Sequence, residues 1–500
     1  MPHFLGLDLG TSACKAVILQ EDGAVLGAGS AEYPVIQPQP TWAEQDPTCW
    51  WDGACRAIRQ ALSAATVDGA AIGAVGLTGQ MHGAVTLDGS HWVVRPAIIW
   101  SDQRSAPQAE HLERTIGMER VVSLVANPPL PNFTATKLLW IAENEPELFA
   151  RIRHVVLPKD YIRLRLTGTL ATDVSDASGT LCFDVVRRQW SQQACAQFAI
   201  PLEWWPEVSE SPVVTAWVSP TAAEQTGLRA GTPVVGGAGD QAASAVGSGI
   251  VRSGLVSVTI GTSGVVFAAT DQVIRDPQGR LHTFCHAVPG QWHVMGVTQS
   301  AGGSLAWWRS AIAPEDVPYD AFLASAASVP PGADGLVFLP YLMGERTPHT
   351  DPYARGVFFG LTPMHTRGHM TRAVLEGVSQ SMRDCLELIL DLGCPVQEVR
   401  MTGGGARSAL WCQIQADIFA RPIHVLRGAE GPASGAAILA AVGAGAFADV
   451  TEAASVLVER GAQTRPEPDA VAAYIEQGET YRALYQALKP LFAMAHARQH

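Results

Sequence analysis

The chain has 500 residues, of which 47% are hydrophobic and 16% charged, so it can bury large cores and is not a disordered chain. At about 150 residues per domain, its length predicts about two to four domains. Thirty-four basic against 47 acidic residues leave a net charge of −13, which argues against a nucleic-acid backbone or an anionic membrane as the main partner. A small anion stays compatible, because a few backbone N–H groups bind phosphate without net positive charge.

The opening MPHFLGLDLG has no basic segment leading into a long apolar stretch, so no secretory signal is expected. No apolar run reaches the roughly 18–20 residues that a bilayer-spanning helix requires. Nine cysteines, scattered and without a CxxC pair, predict a reduced, cytoplasmic protein with neither a disulfide framework nor a zinc site. His282 and His286 stand four apart and could share a helix face, but the surrounding LHTFCHAV supplies no acidic partner for a metal.

Residues 4–9 read as a short buried strand, followed by the tight turn Gly10-Thr11-Ser12 and a second apolar strand over 16–19. Glu21-Asp22-Gly23 then turns the chain into Val25-Leu26. Asp46 can cap a helix whose first turn takes Pro47 and whose apolar spacing runs to Leu62. Residues 72–78 form another buried strand leading into Gly79-Gln80-Met81-His82-Gly83, and a further strand is expected over 97–100. Strands alternating with helices predict an α/β fold.

Near residue 232 the pattern begins again. A strand over 233–235 meets the Gly-rich GGAGDQ, with a helix over 242–246, and SVTIGTSGVVFAAT then mirrors GLDLGTSACKAVIL. The same strand–GTS–strand unit about 250 residues apart predicts two lobes of similar design. A third Gly-rich turn, Gly403-Gly404-Gly405, joins a strand over 399–401 to a helix starting near Ser408. A long helix is expected over 366–392, an Ala-rich one over 433–442, and a peripheral helix in the region from 466 onward. The Gly/Ser-rich GSGIVRSG predicts a boundary near 247–254, giving an N-terminal domain over 1–247 and a C-terminal one over 248–500.

Tight turns between strands leave N–H groups pointing outward, so two GTS turns could hold a polyphosphate. Asp8 interrupts an apolar strand, where an unpaired carboxylate is costly unless a cation such as water-bridged Mg²⁺ compensates it. Asp240 follows a strand in a Gly-rich turn, a position suited either to a general base or to a helix cap. Met81 and His82 sit at the end of a strand, where α/β proteins place ligand-contacting loops.

These motifs carry a family resemblance. GLDLGTSACKAVIL, WAEQDPTCWW, GLTGQMHGAV, NFTATKLLWIAEN, LPKDYIRLRLTG, VVGGAGDQAASAVG, FLPYLMGERTPH, GVFFGLTPMHTRGHMTRAVLEG and TGGGARSALWCQIQADIF are similar to segments of the FGGY carbohydrate kinases, most closely of their xylulokinase branch. The resemblance implies an actin/hexokinase-like ATPase fold, two ribonuclease-H-like lobes flanking a nucleotide cleft. It implies ATP as phosphoryl donor with Mg²⁺, and a ketopentose, D-xylulose, as acceptor. Asp240 matches the catalytic base, and Asp8 the acid associated with Mg-ATP. Met81, His82, Asn132 and Gln241 match sugar-side positions, with Gln241 standing where xylulokinases usually carry Asn. Thr11, Gly261, Thr262, Gly302, Gly404 and Ser408 match positions near the nucleotide. The partners implied are the small sugar and ATP, in a cytoplasmic enzyme whose relatives are often dimers, with no nucleic acid and no membrane. The alternatives are a family kinase for ribulose, glycerol, gluconate or a sugar alcohol, or an actin-like ATPase switch.

Overall fold

The computed structural model describes residues 3–313, 317–427 and 431–497. It divides into two compact units: Met1–Arg252 with Ala269–His293 and Arg427–Glu459, and Ser253–Ala268 with Val294–Leu426 and Arg460–His500. Unit one therefore takes two segments from the later half of the sequence.

In unit one, β1 (His3–Leu9), β2 (Ala13–Leu19) and β3 (Val25–Glu32) form an antiparallel meander. β4 (Ile72–Gly79) joins β1 in parallel, β5 (Val214–Trp217) runs antiparallel to β6 (Pro233–Val235), and both β6 and β7 (Ala238–Gly239) pair in parallel with β4. The sheet order is β5-β6-β4-β1-β2-β3. Side chains alternate across each strand, so Leu5, Leu7 and Leu9 face one way while Phe4, Gly6 and Asp8 face the other. On the leucine side lies α1 (Pro47–Ala65), capped by the Asp46 carboxylate and burying Trp50, Ala54, Ala57, Ile58 and Ala61.

The other face is covered by the helix Pro432–Gly443, which shares a core with Phe4, Ala74, Val235 and Val246. Small residues on both sides permit an unusually close approach. A Cβ at Gly6 would lie 1.8 Å from the Ala433 carbonyl oxygen, and one at Gly76 would lie 1.9 Å from that of Ala436.

Unit two repeats the strand pattern. β8 (Gly254–Ile260) turns into antiparallel β9 (Gly264–Thr270), and β8 also pairs in parallel with β10 (Val396–Gly403), which pairs in parallel with β11 (Ile423–Arg427). The GTS turns at residues 10–12 and 261–263 thus occupy equivalent places, each between a strand and its antiparallel return. This is the ribonuclease-H-like arrangement expected, present once in each unit. The long helix Arg367–Asp391 has Thr366 as its N-cap, reinforced by a reciprocal bond with His369, and Leu392 as its C-cap. A final helix spans Pro468–Ala497.

Two expectations need correction. The strand foreseen over 97–100 shrinks to Ala97–Ile98, a short pair with Glu44–Gln45. His282 and His286 do not share a helix face, because His282 opens the strand His282–Cys285, where four-residue spacing has no helical meaning. Among the described residues, no three His, Cys, Asp or Glu side chains gather to hold a metal, and no helix is long and apolar enough to cross a membrane.

The close seating of the helix Pro432–Gly443 makes Gly6 irreplaceable. Gly6→Ala is expected to cost about 1–3 kcal/mol or more of unfolding free energy through overpacking against backbone, measured by urea denaturation.

Candidate active site

Three parallel strands of unit one end in register. Leu9 of β1 pairs with Gly79 of β4, which pairs with Gly239 of β7. The loops leaving these carboxyl ends carry Gly10-Thr11-Ser12, Gln80-Met81-His82 and Asp240, so residues far apart in sequence emerge side by side.

Asp8 lies one residue before the end of β1 and is 8% exposed. Its Oδ1 has no hydrogen-bond partner. Burial pushes the carboxyl up to about 6, with Lys15 pulling partly the other way. Asp240 is the first residue of the helix Asp240–Gly247 and keeps some contact with solvent. The surrounding protein nonetheless pushes its carboxyl up to about 7, and the Asp8 charge adds to the rise. Hydrogen bonds from the backbone and side chain of Gln241 oppose that shift by favouring the charged form. The two carboxylates therefore feel one another, and Asp240 titrates where a general base works best. Gln241, expected on the sugar side, has its side chain engaged with Asp240.

Met81 and His82 are held by a second set of contacts. His82 adopts a left-handed backbone, φ 67°. Its Nδ1 lies 2.8 Å from the Gly179 carbonyl oxygen, which can only accept, so Nδ1 carries the proton. The His82 carbonyl accepts from Thr134 Oγ1 at 3.1 Å and from Lys137 Nζ at 2.7 Å, both on the helix Thr134–Asn144. Lys137 also donates to the Asn132 carbonyl at 2.6 Å, tying Asn132 to the His82 loop. Burial lowers this ammonium to about 7. Glycines make room around the pair: a Cβ at Gly239 would meet Met81 Sδ at 2.9 Å, and one at Gly179 would meet His82 Nδ1 at 2.6 Å.

Thr11 is anchored from two directions. Gln45 Nε2 donates to the Thr11 carbonyl at 2.7 Å, and Trp100 Nε1 donates to the Thr11 hydroxyl at 2.9 Å. Gln45 Oε1 in turn accepts from Trp50 Nε1 and Gln80 Nε2. One buried amide thus joins the first GTS turn to the residue preceding Met81. Gln45 and Lys137 escaped residue-by-residue reading, although both lie inside the motifs WAEQDPTCWW and NFTATKLLWIAEN.

In unit two, the second GTS turn is exposed at Gly261 and Thr262. The N–H of Gly302, first residue of the helix Gly302–Ile312, donates to the Gly261 carbonyl at 2.8 Å. A Cβ at Gly302 would stand 2.5 Å from that oxygen, so only glycine fits this crossing. Ile260 of β8 pairs with Gly403 of β10, which places Gly404 beside the same turn. Gly261, Thr262, Gly302 and Gly404 are therefore brought together. Ser408 lies one short turn further on and uses its hydroxyl to cap the helix Ala409–Phe419, accepting from the Trp411 N–H at 3.3 Å.

The sequence matches the FGGY family of carbohydrate kinases through its N-terminal domain over residues 3–247 and its C-terminal domain over residues 256–444. It is 41% identical to the xylulose kinase of Escherichia coli (strain K12) over 98% of this chain and 100% of that protein. The xylulose kinase of Bacillus subtilis (strain 168) is 38% identical, with 98% of each chain covered. The crystal structure of xylulose kinase from Rhodospirillum rubrum superposes with a TM-score of 0.90 at 33% identity, covering 98% of this chain and 100% of that one. The chain belongs to the FGGY family of carbohydrate kinases.

Proposed function

We propose that this chain transfers the γ-phosphoryl group of ATP to the 5-hydroxyl of D-xylulose, yielding D-xylulose 5-phosphate and ADP. The full-length similarity to proteins named xylulose kinase supports the substrate. The observation that carries the chemistry is the Asp240 carboxyl, pushed up to about 7 and set beside the Met81–His82 loop by strand register.

In this reading, Met81 packs against the sugar's carbon skeleton, while His82, Asn132 and Gln241 line the sugar side. Asp240 takes the proton of the 5-hydroxyl as its oxygen forms a bond to the γ-phosphorus and the bond to the β,γ-bridging oxygen breaks. Thr11 belongs to the first phosphate loop, and Gly261, Thr262, Gly302, Gly404 and Ser408 are nucleotide-side positions. The orphaned Oδ1 of buried Asp8 fits a water-bridged Mg²⁺, since a neighbouring cation would relieve the cost of that charge. When bound, the ion neutralises charge on the phosphoryl oxygens. Reaction in the cytoplasm would keep the nine free cysteines reduced.

A coupled assay of ADP release over D-xylulose, ribulose, glycerol, gluconate and sugar alcohols tests this reading. D-xylulose is expected to give the highest kcat/KM, and ATP hydrolysis indifferent to all of them would overturn it. Asp240→Asn is expected to keep both substrates bound and lose at least ~100-fold in turnover. In the wild type, kcat/KM for the sugar should rise about tenfold per pH unit below 7 and level off above it, as Asp240 becomes an available base. His82→Ala is expected to raise the sugar KM far more than the ATP KM. Asp8→Asn tests the buried charge through ligand-free melting. The folded-state carboxyl is raised, so its stabilising contribution is complete below the unfolded value near 4 and is lost as pH rises through about 6. The variant should thus melt higher than the wild type at pH 8, with the gap closing near pH 4.

A further inference from the structure

Three buried carboxylates surround the buried ammonium of Lys159, and they are not equally satisfied. Asp160 lies 2.7 Å from Lys159 Nζ and accepts from Thr172 Oγ1 at 2.6 Å. Asp173 lies 3.0 Å from the same ammonium and accepts from the Ser175 N–H, the Ser175 hydroxyl and the Ser211 hydroxyl. Asp176 is 0% exposed, neither of its oxygens has a hydrogen-bond partner, and Lys159 Nζ stands 3.4 Å away. A fully buried carboxylate whose one neighbouring donor is an ammonium 3.4 Å away, shared with two other carboxylates, is costly to hold in a ligand-free protein.

Its position suggests where the donor comes from. Asp176 lies on the short helix Val174–Ala177. The preceding residue, Ser175, accepts from the Gly239 N–H at 3.1 Å, immediately before Asp240. Three residues after Asp176, the Gly179 carbonyl holds the His82 ring. One five-residue stretch therefore grips the base on one side and the imidazole on the other, with Asp176 between the grips. Burial drives the Asp176 carboxyl well above its ordinary range, Lys159 opposes this, and the nearby Asp160, Asp173 and Asp240 charges reinforce it. The Met81 side chain runs along both Gly179 and Gly239. Being unbranched and flexible, it can change rotamer to open a way to the carboxyl.

We propose that Asp176 accepts a hydrogen bond from a sugar hydroxyl other than the reacting one, and so determines specificity. This rests on reading the site as that of a ketopentose kinase. A neutral hydroxyl suits the position because the Lys159 ammonium already supplies the positive charge among these carboxylates. The sugar supplies several such donors, and binding one through a buried acceptor penalises analogues that lack it.

The test combines Asp176→Ala and Asp176→Leu, neither of which has an acceptor, with D-xylulose and three deoxy analogues lacking the hydroxyl at C1, C3 or C4. For both variants, the D-xylulose KM should rise about tenfold or more, with the ATP KM changing less than about twofold. Wild type should discriminate against one analogue at which the variants no longer discriminate. The ligand-free variants should melt at or above the wild-type temperature, because a poorly satisfied buried carboxyl has gone. An unchanged sugar KM, or the same loss as wild type for all three analogues, would overturn the proposal. So would failure of both variants to fold, which would make Asp176 a structural partner of Lys159. Wild-type inactivity toward D-xylulose would instead remove the functional reading itself.

Discussion

The parallel pairing of β4 with β1 on one side and β7 on the other is the constraint on which the site depends. Strands in a sheet lie about 4.8 Å apart, so two carboxylates separated by one intervening strand start from backbones about 10 Å apart. That spacing holds Asp8 and Asp240 close enough for one charge to raise the other, yet leaves width for reacting atoms between them. The middle strand ends in the residues that lead to Met81 and His82. A one-residue slip in either pairing would reverse the faces of these side chains and dismantle the arrangement.

Around that register, the protein holds ionisable groups in places where water would normally be needed. Asp8, Asp240 and Asp176 are raised by burial, and Lys137 is lowered by it. Such groups are destabilising when unpaired, and the apolar layers on both faces of the sheet offset them. Of these, Asp240 and Lys137 change protonation near neutral pH, which suits a phosphoryl-transfer base in the case of Asp240.

The strand–GTS–strand repeat was legible because its glycines and apolar runs form a local pattern, and Asp8 stood out because a carboxylate is out of place in a buried strand. Asp240 was legible from its place in a Gly-rich turn between a strand and a helix, at the end of VVGGAG. Asp176 and Lys137 were not, because a lone charge in a short polar or amphipathic stretch reads as a solvated surface residue until tertiary packing buries it. Gln45 was hidden too, since an amide in WAEQD reveals nothing of the carbonyls it will reach. The side-chain contact of Gln241 with Asp240 depends on rotamer and loop path, neither of which a sequence pattern encodes. The helix Pro432–Gly443 was visible as an element, yet its Ala/Gly composition has no single apolar face and so gave no sign of its docking partner.

That docking has a consequence for biosynthesis. The sheet that contains β1 stays uncovered on its Phe4–Gly6 face until the segment around residue 432 has been made. At typical elongation rates of about 5–20 residues per second, the nascent chain carries an open apolar surface for tens of seconds. A chaperone able to shield that stripe during translation would therefore govern the yield of soluble protein, and a fragment ending at residue 252 would carry the exposed stripe permanently.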